Sequence, residues 1–61
     1  MNFRVQFLGA SAEIIAKWAA NAFDLKSALA LIEGLAWPPG ALRMQILDED
    51  GRLAHWQAKE G

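Results

Sequence analysis

The chain has 61 residues, a net charge of −1, 54% hydrophobic residues and no cysteine. That length admits one small domain over residues 1–61, and the missing cysteines exclude a disulfide framework or a thiolate metal site. The charge balance gives no compositional sign of a nucleic-acid or anionic-membrane partner, and no apolar run reaches the roughly 20 residues of a membrane helix.

Arg4 is not followed by a long apolar stretch, so no signal peptide is expected, and the lack of cysteine accords with a reducing, cytoplasmic setting. Twelve of the apolar residues are alanines, which add little buried area each. The core must come from three Trp, three Phe, eight Leu, four Ile, two Met and one Val. A chain of this size buries only about 60% of the surface that its unfolded form exposes. With no disulfide and a single histidine, self-association is the remaining common source of extra stability.

Along the chain, Phe3, Val5 and Phe7 alternate with Asn2, Arg4 and Gln6, the period of a half-buried strand over residues 2–8. Ala12, Ile14, Ala16 and Trp18 then share one face of a second alternating segment. Its alanines also suit a helix, but a two-residue Gly9-Ala10 turn of type II′ makes a hairpin in which the apolar faces coincide. That register pairs Phe7 with Ala12, Val5 with Ile14 and Phe3 with Ala16.

Asp24 is a suitable N-cap, and Phe23 before it is placed to staple onto Ala28. Leu25, Ala28, Leu29, Ile32 and Leu35 follow a helical stripe, and Gly34 stands where a left-handed C-terminal cap belongs. About ten residues do not hold a helix alone, so packing on a sheet must stabilise it. Trp37-Pro38-Pro39-Gly40 ends it, because proline cannot continue a helix.

In the last third, Leu42, Met44 and Ile46 alternate with Arg43, Gln45 and Leu47, and Ala54, Trp56 and Ala58 with Leu53, His55 and Gln57. A two-residue Asp50-Gly51 turn would set Ile46 against His55 and Met44 against Gln57, mixing the faces. A three-residue Glu49-Asp50-Gly51 loop with a left-handed Gly51 instead pairs Ile46 with Ala54, Met44 with Trp56 and Leu42 with Ala58. The second register is adopted. It makes Trp56 a core residue whose truncation would cost about 3–5 kcal/mol.

The resulting fold class is α+β, ββαββ: two β-hairpins flanking one helix, in a four-stranded antiparallel sheet with the helix on one face. A sheet order of 2-1-3-4 fits, although the sequence does not compel it. Four strands at about 4.8 Å spacing span some 15–19 Å, whereas one helix covers roughly 10–12 Å. Trp37, packed under its loop or exposed as an anchor, and a partner chain are the candidates to cover the remainder.

Catalytic signals are weak. His55 is the single histidine, expected on the outer sheet face, and neither Ser11 nor Ser27 is spaced for a triad with it. Asp48, Glu49 and Asp50 read as turn chemistry rather than a metal loop, since the alternating calcium-loop ligands are missing. The glycines complete no phosphate-binding fingerprint. Trp18 and Trp56 are expected in the core, which argues against base stacking.

The stretch from Trp37-Pro38-Pro39-Gly40-Ala41 through Met44-Gln45-Ile46-Leu47-Asp48-Glu49-Asp50-Gly51-Arg52 resembles short uncharacterised bacterial proteins of domain-of-unknown-function families. The likeness covers the second half of the chain and rests on turn chemistry. It implies a ββαββ order ending in an Asp-Gly-Arg hairpin and a bacterial cytoplasmic origin, and it brings no catalytic residue, cofactor or ligand.

The favoured reading is therefore a non-enzymatic protein–protein interaction module, a homodimer without a cofactor, metal or membrane association. Its candidate interface residues are Ile15, Leu31, Trp37, Leu47, Leu53 and His55. The alternative is a small nucleic-acid-binding regulator using Arg4, Lys17, Arg43 and Gln45 on the outer sheet face. An enzyme or ligand carrier ranks last, because one helix on a sheet leaves little room for a pocket of several hundred Å³.

Overall fold

Strict alternation of Phe3, Val5 and Phe7 with polar neighbours makes residues Asn2–Leu8 the first strand, β1, with its three large side chains buried. The computed structural model describes residues 1–59, and the last two positions of the expected single domain lie outside the described residues. After β1 come β2 (Ile14–Asn21), α1 (Leu25–Glu33), β3 (Arg43–Leu47) and β4 (Leu53–Ala58). The strands form one antiparallel sheet in the order β2-β1-β3-β4, which is the expected ββαββ arrangement.

The first hairpin corrects the sequence reading. Its loop is Ala10-Ser11-Ala12, closed by the Gly9 N–H donating to the Glu13 carbonyl at 2.9 Å and the Ala12 N–H donating to the Gly9 carbonyl at 3.0 Å. Ala12, not Gly9, takes the left-handed conformation, at φ 60°. The Glu13 carboxylate accepts from the Ser11 N–H at 3.2 Å and steadies the loop. A bulge then leaves Leu8 opposite Ile14, while Phe7 pairs with Ala16, Val5 with Trp18 and Phe3 with Ala20. The Gly9-Ala10 turn and its pairings are thus wrong by four positions along β2. The displacement is even, so Ala16 and Trp18 keep the expected inner face, and only Ile14 changes sides. The longer loop wins because it pairs all of β1 down to Asn2 with Asn21, whereas the expected register would leave the end of β2 without a partner.

In the second hairpin the turn is as expected and the register is not. The Gly51 N–H donates to the Asp48 carbonyl, the Asp48 N–H donates to the Arg52 carbonyl, and Gly51 sits at φ 81°. The Asp48 carboxylate accepts from the Asp50 and Arg52 N–H groups, both at 2.9 Å. Leu47 faces Leu53, as the three-residue loop requires. One residue later Ala54 is extruded as a bulge, so Ile46 pairs with His55, Met44 with Gln57, and Gln45 with Trp56. His55 and Gln57 thereby move to the helix side of the sheet, and Trp56 moves to the other side.

Helix α1 lies on the inner face with Ala28 and Ile32 packed among Phe3, Val5, Phe7, Met44 and Ile46. Leu25, Leu29 and Trp37 close the margin of this core. Two Trp rings meet the fully buried Phe7 edge-on, Trp18 at 5.3 Å and Trp37 at 5.2 Å between centroids. Asp24 caps the helix as expected, its carboxylate accepting from the Ser27 N–H at 2.8 Å. The expected staple is absent: Phe23 is 88% exposed. Gly34 is right-handed at φ −84°, not left-handed, because the Leu35 N–H bonds back to the Ile32 carbonyl in a tight last turn.

Two outcomes follow for the loops and the cap. Ala12→Asn, which tolerates the left-handed region, is expected to stabilise the fold by about 0.5–1 kcal/mol, and Gly51→Ala to cost about 1–2 kcal/mol, both read from urea midpoints. The Asp24 carboxyl is held below its ordinary 3.8 by the Ser27 backbone and then side-chain hydrogen bonds. A folded-state value lowered in this way adds stability above the unfolded value and loses it as pH falls through the folded one. Melting curves of Asp24→Ala should therefore lie below wild type at pH 7 and converge with it under acid, below the usual carboxylate range.

Candidate functional site

Among the described residues no element covers the outer face of the sheet. Alternation and pairing place its side chains in three rows across the strands β2, β1, β3 and β4, with Asn2 and Asn21 beyond them on β1 and β2 alone. The first row is Ala19, Arg4, Leu47 and Leu53. The middle row is Lys17, Gln6, Gln45 and Trp56, and the third is Ile14, Leu8, Arg43 and Ala58. At the centre the Gln45 side-chain amide donates to the Gln6 side-chain oxygen at 2.6 Å, locking two neighbouring strands together. Shallow depressions lie on either side of this pair. One, of about 230 Å³, is bordered by Leu8, Arg43, Gln45, Leu53 and Trp56. The other, of about 370 Å³, is bordered by Arg4, Gln6, Lys17, Trp18 and Ala19.

Trp56 dominates the β4 side and is 57% exposed. The expected core position for it is wrong, and the bulge at Ala54 is the reason. The inner side of β4 lies beyond the reach of the helix, so a large ring gains little by facing inward there. On the outer face its ring lies beside Gln45 and Leu53. The face carries three cations, Arg4, Lys17 and Arg43, and no carboxylate among its strand residues, although the whole chain is at −1. The acidic residues are used elsewhere: Asp48 in its turn, and Glu49 accepting from the Asn2 N–H at 2.9 Å. Among the described residues no group of three or more His, Asp or Glu side chains is placed to hold a metal ion.

The inner face offers an open cleft of about 320 Å³ between the helix and β4, larger than one helix on a sheet was expected to leave. Leu29, Ile32, Glu33, Trp37, His55 and Gln57 line it. His55 belongs to this cleft rather than to the outer face, with its Nε2 3.1 Å from the Gln57 side-chain oxygen. Neither Ser11 nor Ser27 lines the cleft, so His55 has no hydroxyl there to activate.

The six expected interface residues do not form one surface. Leu47 and Leu53 meet on the outer face as expected. Trp37 is half-buried against Phe7, which settles its two readings in favour of packing. Leu31 is exposed on the helix, and Ile15 lies at the loop end of the sheet near Gly40. By contrast Arg4, Lys17, Arg43 and Gln45 all occupy the outer face. Sequence reasoning placed Gln6 with Arg4 on this face but missed Trp56 and Leu8 as their neighbours there. No helix among the described residues is long and apolar enough to cross a membrane.

Compared with known proteins, the chain matches no family model, no curated protein and no solved structure.

Because Trp56 leaves so much of its ring in water, Trp56→Ala is expected to cost under about 1 kcal/mol in thermal or urea unfolding. Phe7→Ala should cost about 3–5 kcal/mol, enough to unfold a domain of this size. Equal effects of the two substitutions would contradict the position of the bulge.

Proposed function

We propose that this protein is a non-enzymatic protein–protein interaction module that works as a homodimer. One observation carries the reading: a four-stranded sheet with a single nine-residue helix leaves its outer face and both edge strands uncovered. Large apolar side chains are exposed on the outer face and edge strands, among them Trp18, Leu53 and Trp56, and Phe23 is exposed just beyond the end of β2. So much uncovered apolar surface on so small a domain is the usual mark of an association surface. Light scattering across a dilution series is the test. A mass near twice 6.7 kDa that persists to micromolar concentration is expected, and a monomer at every concentration would refute the dimer.

A second reading is favoured by the position of Trp56. An exposed indole beside Gln45, on a face whose described strand residues include Arg4, Lys17 and Arg43 and no carboxylate, is suited to stacking a base of single-stranded nucleic acid while the cations meet phosphates. Under this reading an oligonucleotide quenches tryptophan fluorescence at low salt, the affinity falls steeply as salt rises, and Trp56→Ala removes binding. No binding to mixed-sequence oligonucleotides at low salt would exclude it.

A further inference from the structure

The hydrogen-bond phase of the sheet shows which groups of β2 are free to bind another strand. Met1 and Ala22 exchange both of their backbone hydrogen bonds, at 2.8 and 2.9 Å. The β1–β2 register is unbroken from Asn2 to Phe7, so every second pair repeats this exchange: Phe3 with Ala20, Val5 with Trp18, Phe7 with Ala16. The intervening residues Lys17, Ala19 and Asn21 therefore point their N–H and C=O groups away from the sheet. Since β2 is an edge strand, those groups meet no neighbouring strand.

We infer that β2 pairs with β2 of a second copy, antiparallel about a two-fold axis at Ala19, joining two sheets into one of eight strands; this rests on the homodimer reading above. The candidate two-fold registers differ in what they match. An axis at Lys17 sets two like charges opposite each other, which is unfavourable. An axis at Trp18 pairs Lys17 with Ala19 but carries Asn21 onto Ile15 at the bulge. An axis at Ala19 is the register that matches all three outward residues among themselves. Ala19 then faces Ala19 of the second copy, and Lys17 faces Asn21 in both directions, so each outward N–H and C=O finds a partner.

The same axis accounts for the exposed apolar groups at this edge. On the inner face it sets Trp18, 43% exposed, against the small Ala20 of the second copy. At the strand end it brings Phe23, the most exposed large hydrophobic residue described, into line with the second copy's Ile15. An axis at Trp18 would bring Phe23 against Glu13 instead. The other edge, β4, keeps only residues 55–58 in regular register beyond its bulge at Ala54, against residues 16–21 beyond the bulge of β2, so it offers an added strand the shorter regular edge. Pairing at β2 alone closes the assembly at two copies.

The test uses the full chain and three substitutions at Ala19, an exposed position. Ala19→Lys opposes two cations at the axis. Ala19→Pro removes the outward donor, a change that an edge strand tolerates when the lost N–H faces solvent. Either should give a folded monomer by circular dichroism and light scattering, with dimer affinity reduced on the order of 100-fold or more. Ala19→Cys, the chain's sole thiol, should give a disulfide-linked dimer on oxidation with diamide, since paired Cα atoms about 5.5 Å apart are within bridging distance. A wild-type dimer that survives Ala19→Lys and fails to cross-link through Ala19→Cys would overturn the β2 axis and leave the homodimer reading standing. Cross-linking through Trp18→Cys in preference to Ala19→Cys would overturn this register, and a wild-type monomer throughout would overturn both.

Discussion

One helix is about 10–12 Å across with its side chains, and a sheet of four strands is wider than that. Most of what distinguishes this protein follows from the mismatch. The helix covers β1 and β3, and the fully enclosed residues lie beneath it: Phe3, Val5 and Phe7 from one strand, Met44 and Ile46 from the other. The outer pair of strands receives partial cover only. On the β2 side Trp18 meets Phe7, and Trp37 meets the same ring from the proline loop. Phe7 is consequently the point where the sheet, the loop after the helix and the second strand are joined.

On the β4 side the bulge at Ala54 turns the strand over. His55 and Gln57 then border an open cleft in which polar groups keep contact with water, and they interact with each other. Trp56 is passed to the outer face, where it meets Gln45. A single extruded residue thus decides whether this tryptophan belongs to the core or to the surface. It also gives the outer face its combination of one exposed indole, three cations and a central glutamine pair.

Much of this was legible in the residues. The alternation of β1, the Asp24 cap, the left-handed Gly51, the proline stop and the Leu47–Leu53 pair each depend on contacts within a few positions or on one tight turn. The sheet order 2-1-3-4 fitted the sequence without being fixed by it, and the strand pairing decides it. What failed was the treatment of alternation as a guarantee of burial on edge strands. The width of the helix already implied that the inner faces of β2 and β4 would be partly bare, and there the preference for apolar residues on the inner side weakens. Neither register could be read correctly without allowing a bulge, and nothing local at Ile14-Ile15 or Leu53-Ala54 announces one.

The sequence by itself determined the elements, their order along the chain, the Asp24 cap and the Gly51 turn, because periodicity and these local hydrogen bonds are properties of short stretches of chain. It also determined that Arg4, Lys17, Arg43 and Gln45 would share a face, since an even shift of register keeps parity. Only the tertiary structure decided the pairing within each hairpin, the exposure of Trp56 and Phe23, and the place of His55 beside the helix. These depend on how far one helix reaches across four strands, and that balance between strand pairing and available cover exists only when all five elements are assembled.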